Sequence, residues 1–111
     1  MSKLTVLLRN PNYKLLTKFH EDTPFEDIYV TDLLSTAIKH MKPSHILITM
    51  IASQSVISIA QMLDLKTIIL TKDALITDKL ICDANALGLN IIQTSYLNHE
   101  VVIELCRRHL L

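Results

Sequence analysis

The sequence predicts an α/β domain, a small three-layer fold whose mainly parallel sheet is built from repeated β-α units. Two short apolar runs, Ile46 to Ile48 and Thr67–Leu70, are typical of buried strands. The segment between them has apolar residues at the i, i+3, i+4, i+7 spacing of one helix face: Val56, Ile59, Ala60 and Leu63. A crossover of this length joins parallel strands. A third round follows, with a helix over residues 78–87 and a strand over residues 90–93.

The N-terminal part is less regular. Residues 2–9 are predicted either as a short helix capped by Ser2 or as an edge strand. Pro11 ends either element, because proline disfavours helix at the residue before it. Residues 13–19 are predicted as a strand, and the polar residues 20–25 as a loop.

From residue 27 onward strands and helices alternate. The predicted elements are a strand over Asp27–Val30, a helix over 32–40, a strand over His45–Thr49, a helix over 53–63, a strand over Thr67–Leu70, a helix over 78–87, a strand over 90–93 and a helix over 98–108. Thr31 and Asp32 provide an N-cap signal for the first helix. Thr77 or Asp78 caps the third helix, and Gly88 stands at the position after its end that favours glycine.

Length and charge set further bounds. A chain of 111 residues predicts one domain with a real hydrophobic core. Eleven basic and eleven acidic residues cancel, which argues against a nucleic-acid partner. No run reaches the roughly 18 apolar residues that a membrane span needs, and the N-terminus is a poor signal peptide. We therefore expect no membrane partner and a cytoplasmic location.

The absence of several motifs excludes common chemistries. The sequence has one glycine, Gly88, so it contains neither a Walker phosphate loop nor a dinucleotide-binding GxGxxG loop. The five histidines lack metal-ligand spacing, and no nucleophile stands in a GxSxG turn. We expect no catalytic residues, no metal site and no cofactor. The acidic residues Glu21, Asp22, Glu26 and Asp27 would bind Mg²⁺ only if their loop folded over the strand ends.

The stretch from Ile28 to Ile38, IYVTDLLSTAI, is followed by ILIT, a capped helix, IILT and GLNIIQTS. This pattern resembles the DRTGG domain family, which is related to the N-terminal domain of HPr kinase/phosphorylase. The resemblance covers residues 13 to 108, and its most specific piece is YVTDLLS. Asp27 and Ile28 stand where relatives often have Gly-Gly, and Lys72 and Asp73 follow Thr71 where relatives have Thr-Gly-Gly.

The resemblance implies a single DRTGG-like domain over residues 1–111 that forms a homodimer and has a regulatory or protein-interaction role. No chemistry is attributed to such domains. The leading hypothesis is therefore a non-catalytic regulatory or dimerisation module that senses a small anionic or nucleotide ligand or binds a protein partner. The alternative is an enzyme, or an enzyme subunit, acting on phosphorylated substrates. A kinase is disfavoured because the chain has no P-loop.

Candidate ligand-binding residues follow the ends of the parallel strands, where open sheets bind ligands. They are Thr49, Ser53, Gln54, Thr71, Lys72, Thr94 and Ser95. Hydroxyls, an amide, one ammonium group and a helix N-terminus there suit a small anion. The alternative is that these residues cap helices and form turns, which explains most of them.

Two further predictions concern side-chain exposure. The helix over 53–63 carries Ile57 and Met62 beyond its main stripe, so this face is predicted either to form a subunit interface or to lie under the N-terminal segment. Cys82 and Cys106 are predicted to be free, buried and slow to react with thiol reagents.

Overall fold

The computed structural model describes residues 2–19 and 21–111. Its strands are β1 Ser2–Lys3, β2 Tyr13–Leu15, β3 Pro24–Phe25, β4 Asp27–Val30, β5 His45–Thr49, β6 Thr67–Leu70 and β7 Asn90–Thr94. Its helices are α1 Leu4–Leu7, α2 Ser35–His40, α3 Gln54–Leu63, α4 Asp78–Ala86 and α5 Asn98–Arg107. Among the described residues, no helix is long and apolar enough to cross a membrane.

Five strands form the main sheet, in the order β2-β7-β6-β5-β4. Strands β4 to β7 are parallel neighbours in chain order, and only β2 is antiparallel, with Tyr13 opposite Thr94. Strands β1 and β3 form a separate two-stranded ribbon. Because each β-α-β step advances the sheet by one strand in the same direction, right-handed crossovers place α2, α3 and α4 on one face.

Two apolar clusters cover the two faces of this sheet. Alternate strand residues such as Leu47 and Ile68 pack with α2, α3 and α4. Their neighbours, Ile48 and Ile69 among them, pack with α1, α5 and the β1–β3 ribbon. The domain therefore has three layers: a layer of helices, the sheet and a second layer of helices. This confirms the predicted three-layer α/β fold and places the N-terminal and C-terminal helices in one layer.

Most predicted elements are confirmed, and three parallel strands have the predicted bounds. Strand β2 ends at Leu15, earlier than residue 19. Helix α2 begins three residues late, at Ser35, because the Thr31 hydroxyl instead accepts a hydrogen bond from the Leu33 amide at 3.0 Å. The predicted loop over 20–25 includes His20, which lies outside the described residues, and ends in strand β3.

The N-terminal segment contains both of the elements that were predicted as alternatives, a strand and a short helix. Strand β1 leads directly into helix α1, and Ser2 does not cap the helix. The Ser2 hydroxyl instead donates a hydrogen bond to the Leu110 carbonyl at 3.1 Å. Strand β1 forms because it pairs with β3. Phe25 of β3 is buried in the core and holds this ribbon against the domain.

The prediction for the Ile57 and Met62 face is wrong for Ile57 in both of its forms, and the N-terminal segment does not cover Met62 either. Ile57 is buried in the cluster shared by α2, α3 and α4, so it is available neither to a second subunit nor to the N-terminal segment. Leu4 and Leu7 of that segment belong to the cluster on the other face of the sheet. Of the two residues, only Met62 is exposed. A helix with neighbours on two sides buries a wide stripe without needing a partner subunit.

The prediction of buried cysteines is also wrong, since both Cys82 and Cys106 are exposed. The inward face of α5 consists of Val101 and Leu105, and Cys106 lies beyond its edge. The predicted termini of α4 are confirmed. Thr77 Oγ1 accepts from the Leu80 amide at 3.2 Å, and Gly88 has a φ of 69°.

Candidate functional site

The carboxyl ends of the parallel strands meet at one edge of the sheet, called the carboxyl edge below. Helix α4 follows β6 onto one face, whereas α5 follows β7 onto the other. The loops after β6 and β7 therefore diverge between these strands. In open α/β sheets a crevice at such a point is the usual place for a ligand.

A hydrogen-bond network begins two residues beyond the end of β4 and is only partly buried. Asp32 Oδ1 accepts from the Thr49 hydroxyl and from the Met50 amide, both at 2.9 Å. Thr49 is fully buried at the end of β5, and its hydroxyl oxygen also accepts from the Ile51 amide at 3.1 Å. The Asp32 carboxylate thus fixes the start of the loop between β5 and α3.

The network reaches the crevice through Asn98, the first residue of α5. The Asn98 amide nitrogen lies 3.3 Å from Asp32 Oδ1 and 3.2 Å from Asp32 Oδ2. Its carbonyl oxygen accepts from the Thr71 hydroxyl at 2.5 Å. Asn98 thereby links the ends of β4 and β6, and the loops that follow four neighbouring strands are tied together.

The hydrogen bonds also set the charge state of Asp32. Partial burial alone would raise the pKa of this carboxyl group. Hydrogen bonds from the Met50 amide, the Thr49 hydroxyl and the Asn98 amide outweigh burial and hold the pKa below its ordinary value. Asp32 is therefore a carboxylate at neutral pH.

Thr94 and Ser95, predicted as ligand residues, instead adjoin a second polar network. Thr94 is buried and accepts from the Tyr96 amide at 3.2 Å. The Ser95 hydroxyl lies 3.3 Å from the Asn12 side-chain oxygen, and Asn12 donates to the Tyr96 hydroxyl at 2.9 Å. These contacts brace the turn before α5 against the segment before β2.

Ser53 and Gln54 lie on a cavity of about 270 Å³ between the N-termini of α3 and α4. Thr77, Lys79 and Leu80 contribute the opposite wall. The Ser53 side chain makes no capping hydrogen bond. The amides of Gln54 and Ser55 donate to no other described residue, so two helix N–H groups are available at this end of α3.

A second cavity of about 460 Å³ adjoins the first at Ala52 and Ser53. Its walls are mostly apolar, with Met50, Ile51 and Leu75, and Asp73 provides one carboxyl group. The two cavities lie side by side at the carboxyl edge, and the surface of both is mostly apolar, with Lys79 on the first and Asp73 on the second.

Lys72 does not line either cavity. Its side chain is exposed, and its main-chain amide donates to the Tyr96 carbonyl at 2.9 Å, which joins the loops after β6 and β7. Lys79, on the first turn of α4, is instead the cation on the first cavity. It forms an exposed ion pair of 2.7 Å with Asp83.

Residues 2–19 and 21–111 contain no group of three or more acidic, His or Cys side chains placed to hold a metal ion. The acidic loop lies at the other end of the sheet, because the Glu26 amide donates to the Ser44 carbonyl at 3.1 Å just before β5 begins. The condition under which that loop would bind Mg²⁺ at the carboxyl edge is therefore not met.

Sequence reasoning missed three residues of this edge: Asp32, Asn98 and Lys79. Asp32 lies two residues after the end of a predicted strand, closer than Ser53 lies to the end of its own strand, so the rule that selected Ser53 would also have selected Asp32. It was treated as a helix cap instead. No local signal joins Asn98 to Asp32, because 66 positions separate them.

The sequence matches no protein-family model, and it matches no curated protein. Its fold is similar to a crystal structure of the CBS and DRTGG domains of the regulatory region of a Clostridium perfringens pyrophosphatase, complexed with the activator diadenosine tetraphosphate. The TM-score is 0.69 at 14% sequence identity, over 87% of this chain and 43% of that one. The chain therefore spans less than half the length of that structure. The likeness confirms a DRTGG-like α/β fold.

Proposed function

We propose that this domain is a non-catalytic regulatory module that binds a small phosphate-bearing ligand, such as a nucleotide, in the cavity between α3 and α4. The phosphate lies against the N-terminus of α3, and Lys79 supplies the positive charge. The adjoining apolar cavity holds the uncharged part of the ligand, between Met50 and Leu75.

The free amides of Gln54 and Ser55 are the observation that supports this most. A helix N-terminus attracts anions through unpaired N–H groups and through the helix dipole. Here Gln54 lines a cavity that a second helix N-terminus and a lysine also line. The combined volumes of about 270 and 460 Å³ lie within the usual range for small-molecule sites.

The structural neighbour supports the same proposal, because that protein is a regulatory region complexed with a nucleotide activator. The kinship with the N-terminal domain of HPr kinase/phosphorylase, and the cytoplasmic location, stay predictions from the sequence.

Calorimetric titration with adenine nucleotides and inorganic phosphate tests the proposal. A charge-assisted contact contributes roughly 1.5–3 kcal/mol, so Lys79→Ala should weaken binding by about one to two powers of ten. Lys66→Ala is the matched control, because Lys66 forms a similarly exposed ion pair, with Asp64, away from the cavities. Equal affinities of the two variants, or no binding by the native protein, would contradict the proposal.

We further propose that the domain forms a homodimer through exposed apolar side chains at the carboxyl edge. Leu33 follows Asp32, Leu97 precedes Asn98, and Met50 and Leu75 line one cavity, so these exposed side chains all lie in loops at the carboxyl edge. Leu75 is 85% exposed. Apolar residues gathered at one edge are typical of interaction surfaces.

Light scattering tests the dimer. Leu75→Asp should give a folded monomer, because the new charge would have to be desolvated in the interface. Met62→Asp is the control, since Met62 is 64% exposed at the far end of α3 and should leave the dimer intact. A monomeric native protein at high micromolar concentration would exclude this proposal.

A further inference from the structure

The crevice between the loops after β6 and β7 is occupied by the protein itself. Asn98 lies between Thr71 and Asp32, with polar contacts to both. The Lys72 main-chain amide donates to the Tyr96 carbonyl and so joins the two loops directly. The position where an open α/β sheet usually accepts a ligand is thus bridged by Asn98 and its contacts with Thr71 and Asp32.

The surroundings of the Asp32 carboxylate are those of an oxyanion site. Three donors of different types converge on it: a hydroxyl, a main-chain amide and a side-chain amide. No lysine, arginine or histidine forms an ion pair with Asp32 among the described residues. Neutral donors alone therefore stabilise the charge, as they do when proteins bind small anions through hydrogen bonds.

The main chain that carries this carboxylate is held by contacts that do not involve it: the Thr31 amide donates to the Ile48 carbonyl at 3.1 Å, and the Thr31 hydroxyl accepts from the Leu33 amide at 3.0 Å. Asp32 lies two residues after the end of the edge strand β4, its side chain is exposed, and helix α2 begins only at Ser35. Between them Leu33 is 66% exposed. The carboxylate can therefore leave its donors without disturbing β4, β5 or the core.

We propose that the carboxyl edge contains a carboxylate-binding site, formed by Thr49, Met50 and Asn98, whose resident anion is the side chain of Asp32. A small external carboxylate competes with Asp32 for these donors. When it binds, the β4–α2 connection is released from α5. The site is separate from the cavity between α3 and α4, and the proposal does not depend on a nucleotide ligand.

Removing the resident anion tests the site. In Asp32→Ala the donors remain and the carboxylate is gone, so formate should bind in its place. A tethered group competes at a high effective concentration, so its removal should tighten formate binding by about tenfold or more. The melting temperature of the variant should rise by roughly 5 °C in 0.1 M formate relative to chloride at the same ionic strength.

Two variants serve as controls. Asp32→Asn keeps the volume occupied, and Asp73→Ala removes one negative charge from a neighbouring loop without touching the donors. In both of them, and in the native protein, formate should stabilise the fold much less than it does in Asp32→Ala. In amide NMR spectra of Asp32→Ala, formate should move the Met50 signal.

Equal formate effects in all four proteins would overturn the proposal, because they would show a general salt effect. An unmoved Met50 signal would also overturn it. If Asp32→Ala is unfolded in chloride, formate should restore its near-ultraviolet circular dichroism. Failure to refold in formate would count against the site.

Discussion

Asp32 is kept in its charged form by hydrogen bonds from residues that are distant in sequence and that the fold brings together. Its folded-state pKa is lowered by the Met50, Thr49 and Asn98 donors despite partial burial. A lowered pKa means that the carboxylate stabilises the folded state at any pH above the ordinary value of about 3.9. This stabilisation is lost as the pH falls through the lower, folded-state pKa.

The free energy of unfolding should therefore respond to acid through this residue. The difference between the native protein and Asp32→Asn should be constant above about pH 5 and should shrink as the pH falls below about 4. Urea unfolding of both proteins between pH 3 and pH 7 measures it. Asp22, whose pKa is also lowered, through its hydrogen bonds to Thr5, affects both proteins equally. Parallel pH profiles would contradict the role assigned to Asp32.

At the scale of elements, α3 shows how packing separates two residues that look equivalent in sequence. Ile57 is 1% exposed between neighbouring helices, whereas Met62 is 64% exposed. Ile57→Ala should lower the free energy of unfolding by about 2–5 kcal/mol because it leaves a cavity. Met62→Ala should change it by less than about 0.5 kcal/mol. Chemical denaturation of both variants compares them directly, and similar losses would mean that the burial of α3 is misassigned.

Prediction from the sequence was most accurate for elements whose burial follows from their own pattern of apolar residues. Strands such as His45–Thr49 coincide with continuous apolar runs, which need burial on both faces of a parallel sheet. The predicted burial was wrong at the edge of a helix face, as at Cys106, because the width of the buried stripe depends on the element that packs against the helix. Thr49 and Thr71 could be placed at the carboxyl edge because each stands at the end of a predicted strand. The bond between Asp32 and Asn98 could not be found, since it depends on which loops the topology brings together.

At the scale of the whole molecule, Arg108 connects the first and last helices. Its guanidinium donates to the Val6 carbonyl at 3.0 Å and to the Leu7 carbonyl at 3.2 Å. Its Nε lies 2.6 Å from Glu104 Oε1, and the Glu104 side chain is only 16% exposed. The guanidinium thus adds a second donor to two carbonyls at the end of α1, which also accept from the Arg9 amide at 3.3 Å and the Asn10 amide at 3.5 Å.

Arg108→Ala should therefore loosen α1 without disrupting the sheet. Loss of hydrogen bonds from a charged group should lower the free energy of unfolding by roughly 1.5–3 kcal/mol. Hydrogen exchange should accelerate at the Leu8 amide, which donates to the Leu4 carbonyl within α1. Arg107→Ala is the control, because Arg107 is exposed one residue earlier on α5. Unchanged exchange at Leu8 in Arg108→Ala would show that the apolar contacts of α1 suffice.

The layer formed by α1 and α5 has a consequence for the order of folding. Contacts such as the Ser2 hydroxyl with the Leu110 carbonyl join residues 108 positions apart, whereas each β-α-β unit closes over a short segment. The entropy lost in closing a loop grows with its length, so the local units form before the distant helices dock. Mutations in α1 should therefore speed unfolding and leave the folding rate nearly unchanged, as expected for contacts absent from the transition state.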